Sequence, residues 1–290
     1  NEPLRTPVHT KFNTYLAQWN YLELISAGSK PIDVRVRLFN LLGQELVSLV
    51  ANLAANSQRD IDVNTLLKNA CISQPALCTS FPDLDGNGVP DTYGLIRLEF
   101  DDSDPDRRLL GRMSNYRQNP GATSFSFAFA RELSNPIRGA SYSASNTYDP
   151  QGSNYLVPNW TEVINLSPSR SAAFIYNLYA QSGERILSEQ FTLPPLGERD
   201  IQAGHEIRNP DGSVDEGVYL VEVVPADENA EYLMYVSRYS SNDAGANAQT
   251  YNYAFSLEGR NGESESIFAP IPSEVRAELC ATTSNWVEVL

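Results

Sequence analysis

The most specific chemistry in the chain lies in one run, Asp83-Leu84-Asp85-Gly86-Asn87-Gly88-Val89-Pro90-Asp91. Oxygen-bearing side chains stand at positions 1, 3 and 5, glycine at 6, and a further acid at 9. A tight turn gathers alternate side chains around one ion, and glycine supplies the positive φ that the curvature needs. Asp83, Asp85, Asn87, the Val89 carbonyl and Asp91 are therefore candidate ligands. Hard oxygen donors without His or Cys select calcium over transition metals. Position 12 is Gly94 rather than the glutamate of a full EF-hand. The plainer reading is an Asp/Gly-rich turn without metal. The acidic run Asp101-Asp102-Ser103-Asp104-Pro105-Asp106 reads as a solvated loop, or as the source of a further ligand.

Other chemistry is sparsely supplied. The only histidines are His9 and His205, and the chain has no Gly-x-Ser-x-Gly elbow, HExxH helix, phosphate loop or GxGxxG fingerprint. No acid pair stands out for glycoside hydrolysis, so the expectation is a non-enzyme. Cys71 and Cys78 flank six residues just before the acidic motif, in a spacing that does not suit zinc. They are read as a disulfide, against the alternative of free thiols, and a disulfide favours an extracellular setting. Cys280 is left over, either as a buried thiol or with a partner outside the chain. Asn159-Trp160-Thr161 and Asn165-Leu166-Ser167 match the N-glycosylation pattern.

Composition narrows the partners. Over 290 residues, 21 Lys and Arg stand against 36 Asp and Glu, a net charge of −15 that repels nucleic acid and anionic lipid. No apolar run approaches the 18 residues of a membrane-spanning helix, and residues 1–5 show no signal-peptide core. Neither nucleic-acid binding nor membrane insertion is expected.

The elements that must position these groups are strands. Val34, Val36 and Leu38 alternate with Arg35 and Arg37, and Ser124–Phe129 alternates so as to place Phe125, Phe127 and Phe129 on one face. Ile96–Phe100 and Tyr219–Val224 read similarly, with turn signals between such runs. One short helix is expected over 63–68, capped by Asp62.

The pattern also recurs. Asn20–Ile25 returns as Asn159–Ile164, displaced by 139, and Arg59-Asp60-Ile61 as Arg199-Asp200-Ile201, displaced by 140. Ser114–Tyr116 answers Ser237–Tyr239, and Phe125–Phe129 answers Tyr251–Phe255, displaced by 123 and 126. A period this long means whole domains in tandem. The expected fold is all-β: two antiparallel β-sandwiches, Ig-like or jelly-roll-like, from an internal duplication. The expected divisions are 1–150, 151–284 and an orphan strand over 285–290. The first domain carries an insertion near 68–92, which holds the cysteines and the acidic motif.

With its Val-Pro-Asp ending, the motif at 83–91 resembles the calcium repeats of thrombospondin type 3 segments, which dispense with the position-12 glutamate. The recurring Asn-Trp-x-Glu-Val, Arg-Asp-Ile and Gly-x-Tyr-Leu-Val-Glu-Val segments look like the tandem β-sandwich modules of large secreted bacterial surface proteins. That resemblance implies an extracellular stalk, adhesin or filament subunit. The alternative is a calcium-dependent carbohydrate-binding module, with Tyr142, Tyr148, Tyr155 and Trp160 as stacking residues and a glycan as partner.

The last residues, Asn285, Trp286, Val287, Glu288, Val289 and Leu290, repeat the opening strand of both halves. A strand that is apolar on both faces needs a partner. It is the stub of a third domain, an addition to a neighbouring subunit's sheet, or a strand folded back on its own domain. The expectation adopted is self-assembly by strand addition.

Overall fold

A computed structural model describes residues 6–78, 81–84, 86–118, 123–147, 157–203, 217–241 and 251–261. The fold is an all-β sandwich architecture, with sixteen named strands in four antiparallel sheets. The first eight strands are β1 (Val8–Asn13), β2 (Trp19–Ser26), β3 (Ile32–Phe39), β4 (Glu45–Leu53), β5 (Ser57–Asp62), β6 (Tyr93–Glu99), β7 (Leu109–Gln118) and β8 (Phe125–Glu132). They form two sheets of order β1-β6-β3-β4 and β5-β2-β7-β8. The second eight are β9 (Ser141–Asn146), β10 (Asn159–Asn165), β11 (Ala172–Ala180), β12 (Arg185–Leu193), β13 (Glu198–Gln202), β14 (Val218–Pro225), β15 (Tyr232–Ser241) and β16 (Tyr251–Glu258). Their sheets run β9-β14-β11-β12 and β13-β10-β15-β16.

Adding eight to each strand number of the first pair of sheets gives the second pair. The register repeats as well. Leu22 faces Ile61 where Thr161 faces Ile201, and the shift between Leu38 and Phe39 recurs between Leu178 and Tyr179. The shift between Arg117 and Gln118 recurs between Ser240 and Ser241. Val34, Val36, Leu38, Phe174, Tyr176 and Leu178 are all fully buried. Each such side chain contributes about 1.5–3 kcal/mol by leaving water.

Each sandwich has its own apolar core. One centres on Leu22, Val36, Ile96 and Met113, the other on Val163, Tyr176, Val221 and Met234. A repeated asparagine holds the crossing from one sheet to the other. Asn20 Nδ2 donates to the carbonyls of Asn13 (2.9 Å) and Gln18 (3.1 Å), and its Oδ1 accepts from Asn13 N–H. Asn159 makes the matching bonds to Asn146 and Val157. Asn159 and Asn165 are both buried, so the two apparent glycosylation sites are structural asparagines in this fold.

The structure departs from the sequence expectation at three places. Ser141–Asn146 lies before the expected division at 150, yet β9 pairs with β14 in the second sandwich. By sheet membership the chain divides between Glu132 and Ser141. Ser-Tyr-Ser-Ala-Ser-Asn lacks the apolar alternation that marks a strand, and β14 supplies its order instead. The three phenylalanines do not share a face, because the bulge at Arg117/Gln118 turns Phe125 away. Phe125 is 52% exposed, whereas Phe127 is buried. The helix α1 spans Val63–Ser73, longer than 63–68. Asp62 caps it, its carboxylate accepting from Thr65 N–H at 3.0 Å and from the Thr65 hydroxyl at 2.7 Å. Leu67 and Ala70 continue the buried stripe beyond the first turns.

Candidate functional site

Two places gather chemistry. The first is the acidic loop, which follows α1 in the connection from β5 to β6. Cys71 and Cys78 form a disulfide, with Cα atoms 5.5 Å apart, that closes the chain just ahead of the loop. The Asp83 carboxylate accepts from Asn87 N–H (3.1 Å) and Gly88 N–H (2.8 Å), and Asn87 Oδ1 accepts from Val89 N–H (2.7 Å). Asp91 is 2% exposed, and its Oδ2 accepts from Leu84 N–H at 2.5 Å. Gly86 and Gly88 have φ of +73° and +79°, the left-handed conformation that the sequence pattern requires. The motif thus folds as a tight turn with Asp83, Asn87, Val89 and Asp91 on it, and hard oxygens of this kind suit calcium. Asp85 lies outside the described residues. Among the described residues, no group of three or more His, Cys, Asp or Glu side chains is arranged to hold a metal.

The run Asp101–Asp106 is an ion-paired turn. Lys30 Nζ donates to Asp104 at 2.8 Å, and Asp101 accepts from Arg107 and from Ser103.

The second place went unread in the sequence. It lies where the outer face of the β13-β10-β15-β16 sheet packs on the flank of the first sandwich formed by β1, β6 and β8. Lys11 reaches this junction from β1, Arg131 from β8, Glu162 from β10, and Glu198 and Asp200 from β13. Lys11 Nζ is 3.0 Å from Glu162, 2.5 Å from Glu198 and 3.3 Å from Asp200. Arg131 Nη2 is 3.2 Å from Glu162, and the guanidinium also donates to Ser237 (2.7 Å), Asn115 (2.8 Å) and Ser256 (3.0 Å). Its plane lies over the Phe129 ring at 4.8 Å. All five side chains are withdrawn from water, Asp200 being the most exposed at 10%.

Burial of so many charges demands pairing. Two cations face three carboxylates, one negative charge in excess when all are ionised, so burial favours taking up a proton on the acidic side of the cluster. Burial pushes Asp200 up to about 6, with Lys11 opposing and Glu162 adding to the rise. Burial likewise lifts Glu198 well above the usual carboxylate range. For Glu162, burial is outweighed by Arg131 and Lys11, which hold it low. For Lys11, burial is outweighed by the surrounding carboxylates, which raise it. His9, on β1 beside these groups, is 1% exposed, and neither ring nitrogen has a hydrogen-bond partner among the described residues. Burial first, and Arg97 second, lower it to about 3.

Apolar contacts flank the charges. Phe39 and Leu95 meet Ile164, Leu196, Leu233 and Tyr235 on one side, and Leu16, Phe127 and Phe129 meet Trp160, Tyr239 and Ala254 on the other. Leu196 is held at φ +55°, a conformation that costs a bulky side chain about 1–3 kcal/mol. Its burial in the junction offsets that strain. At the matching turn of the first sandwich, Asn56 has φ +53° and is exposed. The Asn40–Gly43 turn also docks here, where Glu198 N–H donates to the Leu41 carbonyl at 2.9 Å. A Cβ on Gly43 would lie 1.9 Å from the Pro195 carbonyl oxygen.

The expected aromatic cluster at the domain junction is divided. Trp160 packs in the junction, Tyr142 sits opposite Arg260 on the flank of the second sandwich, and Tyr148 and Tyr155 lie outside the described residues. So do His205, Cys280 and residues 285–290, where the sequence led us to expect a strand. A different platform appears on the outer face of the β5-β2-β7-β8 sheet. Trp19 meets Phe125 edge-on at 6.0 Å, Phe125 meets Tyr116 at 5.3 Å, and Tyr116 meets Tyr21 at 6.0 Å.

No protein-family model matches the chain, and no curated protein sequence does. Among solved structures, the chain is similar to Thermotoga maritima 1070 at 13% identity, covering 44% of this chain and 96% of that one, with a TM-score of 0.30. It is also similar to Bacteroides uniformis β-glucuronidase 2 at 11% identity, covering 86% of this chain, with a TM-score of 0.18. The chain spans 25% of that enzyme's length. Likenesses this faint carry no argument about activity. Among the described residues, no helix is long and apolar enough to cross a membrane.

Proposed function

We propose that the chain is an extracellular structural repeat protein, a subunit or part of a bacterial surface fibre, filament or adhesin stalk that assembles end to end. The observation that carries this reading is the pair of sandwiches with one topology, locked by an extensive buried junction. The disulfide Cys71–Cys78 is compatible with an oxidising compartment. In this reading the two halves descend from an internal duplication, and residues 285–290 add to a sheet of a neighbouring copy. Light scattering and electron microscopy of the full chain, with and without residues 284–290, test it. Elongated particles that shorten on deletion are expected. Stable monomers at high concentration from both forms, with calcium present, would overturn it.

Calcium at Asp83, Asp85, Asn87, Val89 and Asp91 belongs to the same reading, as a stabiliser of the first sandwich. At a calcium concentration 100-fold above the dissociation constant, linkage adds about 2.7 kcal/mol. Chelation is expected to lower the thermal midpoint of the wild type and to leave Asp85→Ala unmoved. Equal behaviour of the two would remove calcium from the proposal.

The second reading, a calcium-dependent carbohydrate-binding module, is favoured by the Trp19, Tyr21, Tyr116 and Phe125 platform, since aromatic faces stack on sugar rings. Glycan arrays decide it: specific binding lost in Trp19→Ala would favour the module.

A further inference from the structure

Lys11 and Glu198 meet in a place that the repeated architecture does not duplicate. In the matching strand registers, Ala144 stands where Lys11 does, and Gln58 stands where Glu198 does. Glu162 and Asp200, by contrast, have counterparts in Glu23 and Asp60. The sheet face thus repeats two of its acids, while the amine and the remaining acid occur only where the sandwiches join.

Their surroundings are dry. Both side chains are fully withdrawn from water, and Lys11 Nζ lies 2.5 Å from Glu198 Oε1. Among the described residues, no hydroxyl or backbone N–H donates to either Glu198 oxygen. The Tyr93 ring lies over the ammonium, 5.2 Å from Nζ. Two further carboxylates touch the same nitrogen, Glu162 at 3.0 Å and Asp200 at 3.3 Å. Asp200 also shares a hydrogen bond with Glu198, and a bond between two acids needs a proton on one of them. Burial lifts Glu198 well above the usual carboxylate range, which puts that proton on Glu198. An uncharged carboxyl, a nitrogen and a carboxylate able to take a proton are therefore held in contact.

We propose that Lys11 and Glu198 condense into a side-chain amide that ties the first sandwich covalently to the second. The ion-paired arrangement described above is the state from which the bond forms. The Lys11 ammonium gives one proton to Asp200, and the freed amine attacks Glu198 Cδ. The tetrahedral carbon then releases its hydroxyl, which takes a second proton from the nitrogen and departs as water. A C–N bond forms, a C–O bond breaks, and no electron carrier is needed. Charge is conserved: the ammonium and the Asp200 carboxylate are replaced by an amide and a carboxylic acid. Glu162, paired with Arg131 throughout, orients the nitrogen. Fixed contact supplies the proximity that a bimolecular condensation lacks. In bulk water such a condensation runs backwards. Here it removes an ammonium and a carboxylate from a place where ions are costly to hold. One turnover per molecule is enough. The bond concerns the junction alone and does not rest on end-to-end assembly.

Intact mass and peptide mapping of the full chain test it, with the disulfide reduced and the cysteines alkylated after incubation at neutral pH. The expected result is a mass one water below that of the linear chain, with a branched peptide joining the Lys11 and Glu198 segments. Cyclised aspartates also lose water, so the branched peptide decides. Lys11→Met should carry no branch. Glu198→Gln should give the same branched peptide with loss of one ammonia instead of water, because nitrogen is then the leaving atom. In a time course from freshly made protein, Asp200→Asn should slow closure about 100-fold. Wild-type chains that keep their full mass, with Lys11 and Glu198 in separate peptides, would overturn the proposal. A branch from Lys11 to Asp200 or Glu162 would overturn Glu198 as the acceptor.

Discussion

Replacing Glu162 by leucine is expected to cost about 3–5 kcal/mol of unfolding free energy in urea. The carboxylate sits between the Lys11 ammonium and the Arg131 guanidinium, and its loss leaves both buried cations without their shared partner. The double substitution Glu162→Leu with Arg131→Met removes a cation together with the anion. It should recover most of the loss, because a buried pair exchanged for apolar side chains is close to neutral. A loss below about 1 kcal/mol for Glu162→Leu alone would mean that the junction is hydrated and that its charges act as surface pairs do.

Acid should expose two opposing titrations at the same junction. His9 stays neutral in the folded chain down to about pH 3, whereas the unfolded histidine takes up its proton near 6.5. Its contribution is full above pH 6.5 and is lost as pH falls, at about 1.4 kcal/mol per unit. Asp200 runs the other way, since its folded value of about 6 lies above the ordinary 3.8 of an aspartate in water. Its penalty is full above pH 6 and disappears as pH falls toward 3.8. Asp200→Asn should therefore steepen the loss of stability on acidification relative to wild type, and His9→Phe should turn it toward a gain. Each slope should differ from wild type by about 1.4 kcal/mol per pH unit between pH 4.5 and 6. Parallel curves for all three proteins would show that neither group is buried from solvent as described.

The strand framework was legible because period-two burial leaves its mark residue by residue. Val34, Val36 and Leu38 read as core and are core. The Asp62 cap and the cysteine pair were also legible, being local. The register of the two halves follows the displacements of 139, 140, 123 and 126 read in the chain, although strand β9 escaped because its order comes from β14. The charged junction was not legible. Lys11, Glu162 and Asp200 stand at alternate positions that face away from the core of their own sandwich, and such positions read as solvated. Only docking of one sandwich on the other removes them from water, and that is a property of the pair. A faint signal was present. Glu23 and Ser114 recur as Glu162 and Ser237, and in both halves the hydroxyl stands beside the carboxylate. A carboxylate–hydroxyl pair held at equivalent places in a sheet face hints at more than solubility.

The connection between the sandwiches bears on how the molecule would respond to a pull along the chain. Leu133 belongs to the first core, and Ile137 packs against the second, where it bridges to Tyr232. Four residues of extended chain reach at most about 14 Å. So short a tether keeps the two halves close together even if the junction opens. Tension along the chain meets the junction at once, as shear across Lys11, Arg131 and Glu162. Under such a pull the element under strain would be a sheet-on-flank contact rather than a linker, with buried charges at its centre.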